Sequence, residues 1–170
     1  MNINDRAKEQ GIDVIRLKMG GEPMYGWMLI ENYQDVLDAR DGTIDQILCV
    51  ATIQTMPRWL TVNLLPLWYA KLRPQGLLAV EMPDLDRAIA FYEKGSLAPS
   101  IETKDGLVNI GKWALYGEQW FGGVSHQYLW TVSEFIKEMN AAGFFIREAS
   151  HDAKFTRKGL DMWVIGEKLS

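Results

Sequence analysis

Cysteine is almost missing from this chain. Cys49 stands alone, so no disulfide can form within it. A reducing, cytoplasmic setting is the expectation. Histidine is nearly as scarce, with His126 and His151 the only two. His151 is followed by Asp152, yet no second pair at ligand spacing accompanies it, so no metal centre is expected. No charge of one sign dominates: the formal net charge is -4 and no basic stripe runs through the chain, so a nucleic-acid surface is not expected. Long apolar runs are also missing. None approaches the roughly 18 residues of a membrane helix. The opening "MNINDRAKEQGIDV" is polar and has no apolar segment of the kind a signal peptide needs.

What is present suits a packed core. Of the 170 residues, 48% are hydrophobic and seven are tryptophan. One domain over residues 1–170 is expected. "IDVIRLKMGG" alternates and ends in two glycines, which reads as a strand entering a turn. "GWMLIEN" is a second short strand. "TIDQILCVAT" is a near-continuous apolar run, the pattern of a strand covered on both faces. Leu60–Leu72 is long enough for a helix, with Pro66 either in its first turn or kinking it. "GLLAVEM" is the next buried strand. Asp84 offers an N-cap, and Leu85, Ala88, Ile89 and Tyr92 follow at helical spacing. Residues 96–130 read as an irregular, aromatic-rich segment. Thr131 with Glu134 forms a capping box before Val132, Phe135, Ile136 and Met139. "FFIREAS" and "LDMWVIGEKL" read as two closing strands joined by a charged loop.

Strands alternate with helices through the middle and two strands meet at the end. The fold class expected is α/β, with a mostly parallel sheet and an antiparallel C-terminal strand. Ligands of such sheets sit beyond the carboxyl ends of the strands. That rule places Gly20, Gly21, Glu31, Ala51, Thr52, Pro83 and Asp84 along one rim.

The segment "LLPLWYAKLRPQGLLAVEMPDLDRAIAFYEKG", followed by "LYGEQ" and "SHQYLWTVSEFIKEMNAAGF", resembles the small class I S-adenosylmethionine-dependent methyltransferases. The resemblance covers roughly residues 12–168. It implies a Rossmann-like methyltransferase-type sheet, shortened near its second and third strands. It also implies S-adenosylmethionine as cofactor and a small molecule or glycan as methyl acceptor. On the cofactor side it assigns Gly20 and Gly21 to the glycine turn and Glu31 to the ribose. It also assigns Asp35 or Asp38 to the adenine neighbourhood, and Ala51 and Thr52 to the end of the fourth family strand. The chain departs from the family pattern at three places, the first being that the few residues between Glu31 and "DVLDARDG" leave no room for the usual helix between the second and third strands. Glu22 stands where the second glycine of the turn belongs, and "ATIQT" replaces a His-x-x-Glu-His stretch.

Each candidate also has a plainer reading. Gly20 and Gly21 suit a tight turn, and Glu31 and Asp35 suit a solvated surface. Asp84 is a helix cap that can also wall a cleft or act as an acid. His126 is a general base near neutral pH or a structural histidine bonded to backbone. Cys49 reads as a small core residue. Trp113, Tyr116, Trp120, Phe121, Tyr128 and Trp130 can stack on a sugar, fill the core, or make a homo-oligomer through the loop 113–130. Two functions therefore stay open: a methyltransferase, or a non-catalytic binding or assembly module on the same fold.

Overall fold

A computed structural model of the chain describes residues 16–19, 27–29, 33–103, 106–117 and 125–170. Six strands form the main sheet, in the order β2-β1-β3-β4-β8-β7. They are β1 (Arg16–Met19), β2 (Trp27–Leu29), β3 (Ile44–Val50), β4 (Leu72–Pro83), β7 (Phe145–Ser150) and β8 (Asp161–Glu167). The helices are α1 (Tyr33–Asp38), α2 (Arg58–Lys71), α3 (Leu85–Glu93), α4 (Ile110–Tyr116) and α5 (Val132–Ala141). A separate hairpin joins β5 (Ser100–Thr103) to β6 (Gly106–Asn109).

The class is α/β, as the sequence implies, but the strand directions differ from the expected pattern. Among the described strands, only β3 and β4 run parallel. β8 lies antiparallel between β4 and β7. β1 is antiparallel to both β2 and β3. Chain length gives the reason at the first pair. Residues 20–26, which join β1 to β2, are fewer than the dozen or so a parallel crossover needs. A hairpin is the pairing they allow.

One face of the sheet carries the main core. Ile47, Cys49, Leu78, Val80, Met82, Met162 and Val164 meet Leu64, Leu65 and Trp68 of α2 and Phe135 and Met139 of α5. Each fully buried side chain of this kind contributes about 1.5–3 kcal/mol. Pro66 lies well inside α2 rather than in its first turn. Thr131 caps α5, accepting the Glu134 N–H at 3.1 Å. The Glu134 carboxylate does not close the box. It takes the Tyr128 hydroxyl at 2.5 Å, and this hydrogen bond is the main cause of a raised Tyr128 pKa.

A second cluster stands beyond the carboxyl end of β4. Ala88 of α3 packs with Trp113 and Ala114 of α4, Leu129 and Leu160. Gly111 makes this possible: a Cβ there would lie 2.3 Å from the Tyr92 nitrogen and 2.4 Å from the Ala88 oxygen. The segment 96–130 thus holds a hairpin and a helix. Asn109 caps α4 by accepting the Gly111 and Lys112 N–H groups. Among the described residues no helix is long and apolar enough to cross a membrane.

Candidate active site

The carboxyl ends of β3 and β4 form a rim. β3 leaves it through Ala51, whose φ of 52° lies in the left-handed region. A non-glycine residue is held there only when its surroundings fix it. Here the Ala51 N–H donates to the Glu81 carbonyl at 2.9 Å. Thr52 follows, its hydroxyl bonded to the Val50 carbonyl at 3.0 Å. A short 3-10 turn, Ile53–Thr55, comes next. The Gln54 carbonyl accepts the N–H groups of Gln127 at 2.8 Å and Tyr128 at 3.3 Å. Those two bonds bring the segment 126–129 to the rim.

Asp84 closes β4 and starts α3. It is 2% exposed. One carboxylate oxygen caps the helix through the Asp86 N–H at 3.4 Å. The other accepts from His151 Nε2 at 2.6 Å. Its backbone is held as well: the Asp84 N–H donates to the Leu160 carbonyl, and the Leu85 N–H to the Trp130 carbonyl. Asp84 is therefore a cap and a wall whose acidic oxygens are both engaged.

His126 lines a pocket of about 280 Å³ between Leu85 at the start of α3, Leu115 of α4 and the segment Gln127–Leu129. Its Nδ1 lies 2.5 Å from the Ala114 carbonyl. A carbonyl only accepts, so Nδ1 carries a proton and donates it there. The ring stands edge-on to Trp113 at 5.6 Å. The two readings of His126 thus coexist: Nδ1 bonds backbone while the ring lines a pocket.

Two further buried carboxylates, Glu81 and Asp161, stand close to Asp84 near the rim. Glu81 is fully buried on β4 and accepts the N–H groups of Lys154 at 2.5 Å and Phe155 at 3.1 Å, and the Thr156 hydroxyl at 2.6 Å. Asp161 meets the same hydroxyl and the Arg157 guanidinium. Burial raises the Asp161 pKa, with Thr156 and Arg157 pulling it back. Together with the Asp84–His151 bond, these contacts fasten residues 151–160 as a strap across the rim. The signal available was Glu81 itself, an acid inside the apolar run "LLAVEMP".

The remaining predicted residues separate. Gly20, Gly21, Glu22 and Glu31 lie outside the described residues, as do Trp120 and Phe121. Asp35 falls in α1. Met19, the last residue of β1, pairs with Ile44 at the amino end of β3. Ala51 leaves the other end, roughly 20 Å away at about 3.3 Å per residue. The antiparallel direction of β1 puts Met19 at the end of β3 opposite Ala51, Thr52 and Asp84. Trp113 and Trp130 are buried core residues rather than a surface. Cys49 is buried too, and burial pushes its thiol pKa up to about 12, which keeps it unreactive. Among the described residues no cluster of histidine, cysteine and acid is arranged to hold a metal.

The chain matches no protein-family model and no curated protein. Solved structures do match. The PH0226 protein of Pyrococcus horikoshii aligns over 97% of this chain at 12% identity with a TM-score of 0.55. An S-adenosylmethionine-dependent methyltransferase of Methanosarcina mazei aligns over 82% at 18% identity with a TM-score of 0.53. The chain spans 64% and 65% of their lengths, under two thirds of either. It has the class I S-adenosylmethionine-dependent methyltransferase fold.

Proposed function

We propose that the chain is an S-adenosylmethionine-dependent methyltransferase acting on an uncharged small molecule or glycan. The observation that carries this reading is the pocket beside the rim. Its lining of Leu85, Leu115, His126, Gln127, Tyr128 and Leu129 offers three apolar walls, an imidazole and two further hydrogen-bonding side chains, and no formal charge. A charged acceptor would lose its hydration there without a partner. A neutral hydroxyl would keep its hydrogen bond.

The rim residues fit the amino-acid end of the cofactor. Gln54 Oε1 is buried with no partner, an acceptor suited to an ammonium group. Ala51 and Thr52 lie next to it in the chain, where the strained turn leaves the sheet. Gly20, Gly21, Glu31 and Asp35 complete the set in this reading. When bound, S-adenosylmethionine supplies a methyl already activated by its sulfonium. The chain's own work is then positioning and proton removal. His126, oriented through its Nδ1–H, accepts the acceptor's proton at Nε2. Asp84 holds the start of α3, and so Leu85, at the pocket wall. A cytoplasmic setting belongs to the same reading.

A second reading, a non-catalytic binding or assembly module, is favoured by one observation. Met19 pairs at the amino end of β3, away from the rim. Transfer of tritium from methyl-labelled S-adenosylmethionine to neutral phenols and sugars, against carboxylates and phosphates, tests the first reading. Label on the neutral set, lost in His126→Ala, supports it. No label on any acceptor, with a mass in light scattering that Trp120→Ala changes, supports the second.

A further inference from the structure

Glu81 and Asp161 share one hydroxyl. Thr156 Oγ1 lies 2.6 Å from Glu81 Oε1 and is also within hydrogen-bond reach of Asp161 Oδ2. A threonine hydroxyl has one hydrogen to give, so it cannot donate to two carboxylates at once. Both contacts are hydrogen bonds only if one acid carries a proton and gives it to Oγ1, while Oγ1 donates to the other. Glu81 is 0% and Asp161 1% exposed, so water does not replace the missing bond.

The bonding around each acid places the proton. Glu81 accepts the Phe155 N–H on both oxygens and the Lys154 N–H on Oε2, the pattern of a carboxylate. Asp161 is met on one oxygen only. Its Oδ2 faces Thr156, the Arg157 N–H and the Arg157 guanidinium, and its Oδ1 is buried with no donor. An anionic oxygen left so is costly, whereas a protonated acid leaves only a neutral carbonyl there. Burial is the largest cause that raises the Asp161 pKa, and the Glu81 charge raises it further. Thr156 pulls it back only while its hydrogen points to Asp161; pointed to Glu81, the hydroxyl receives instead. Arg157 also opposes, from a side chain 30% exposed, where water screens it. The other charged groups of the strap turn elsewhere: His151 to Asp84, Lys154 to Glu148 of β7 and to Asp152, and Lys158 to Asp152.

We propose that the strap is a latch held by one proton: the Asp161 acid donates to Thr156 Oγ1, whose own hydrogen goes to Glu81, and loss of that proton to solvent as pH rises loosens residues 152–157 from β4 and β8. Two anions then face one hydroxyl, and one of its two contacts becomes a repulsion. The effect reaches the pocket. The Arg157 guanidinium lies 3.8 Å from the centre of the Trp113 ring, and Trp113 stands edge-on to His126. A loosened strap therefore removes the support behind the His126 wall. The inference does not rest on the methyl-transfer reading, because the three groups that hold the proton take no part in it.

The carboxyl ¹³C resonances of Glu81 and Asp161 in the full chain read the proton directly. Asp161 should titrate above the ordinary aspartate value of about 3.9. Hydrogen exchange of amides 152–157, taken as a ratio to the amides of α2, should rise about tenfold across the same midpoint, the factor for one hydrogen bond. Asp161→Asn puts an N–H donor where the acid proton was, and its ratio should stay flat with pH. Thr156→Ser keeps the hydroxyl and should keep the rise. Thr156→Val should lose it, which tests the latch even if Asp161→Asn does not fold. Both carboxyls titrating at or below their ordinary values would overturn the inference. So would a rise that persists unchanged in folded Thr156→Val or Asp161→Asn.

Discussion

The two edges of the sheet are built differently. At the β7 edge, β4, β8 and β7 pair through long registers, and the strap supplies partners to three buried carboxylates, Glu81, Asp84 and Asp161. At the β2 edge, two short strands form a hairpin whose register with β3 shifts after Lys18. The difference teaches that a shared fold does not make the two edges equally well tied to the rest of the chain. The pocket beside α3 and α4 is bounded by residues bonded to the rim, whereas the residues proposed for a cofactor have roles that come from resemblance.

The comparison breaks most readily at Gly111. Gly111→Ala drives a Cβ into the backbone of α3, where nothing flexible can yield. We expect a loss of about 3 kcal/mol, the upper range for overpacking, read as a lower midpoint in urea. Exchange protection should fall first in α3 and α4. An unchanged midpoint would mean that the two helices are not packed as described.

Glu81→Gln comes next. The amide keeps one acceptor and brings an NH₂ toward the Lys154 and Phe155 N–H donors. The cost should be about 2 kcal/mol, with amides 152–157 losing protection while the main core keeps it. Retained protection in the strap would show that Glu81 does not fasten it.

The two histidines should then part company. His126→Ala should cut transfer by about a hundredfold or more with little change in Tm, as for a lost general base. His151→Ala should cost about 1 kcal/mol of stability, the size of one buried hydrogen bond, and affect the strap first. Equal effects of both would remove the distinction between pocket and latch.

The smallest effect concerns pH. Asp161 has a raised pKa in the folded chain, with burial the first cause. The folded state then holds that proton more tightly than the unfolded state. The stability it contributes is full below the ordinary aspartate value of about 3.9 and is lost as pH rises through the folded value. Asp161→Asn should flatten that part of a Tm-against-pH curve. A variant curve parallel to the wild type's would exclude Asp161 as its source.

Much of the β7 side could be read from the sequence. Asp84 before an apolar helical stripe and Thr131 before Val132 are local signals, and both became caps. β3 and β4 were visible as continuous apolar runs. What was missed depends on distance along the chain. The charged loop between β7 and β8 looks like a connector, because its partner Glu81 lies more than 70 residues earlier. His151 likewise meets Asp84 only through the folded chain. The α4 helix is short, and Asn109, its cap, was the one local sign of it. The direction of β1 escaped because a run of apolar residues marks a strand without saying which way it pairs.

Calorimetric titration of the full chain with S-adenosylhomocysteine tests the central claim most directly. The methyltransferase account predicts saturable one-to-one heat, however weak, that disappears in Glu31→Ala while that variant keeps its fold. No heat from folded wild-type protein at about 1 mM ligand, where binding worth about 4 kcal/mol would register, would contradict it. The fold would then stand without its cofactor, and the assembly reading would take its place.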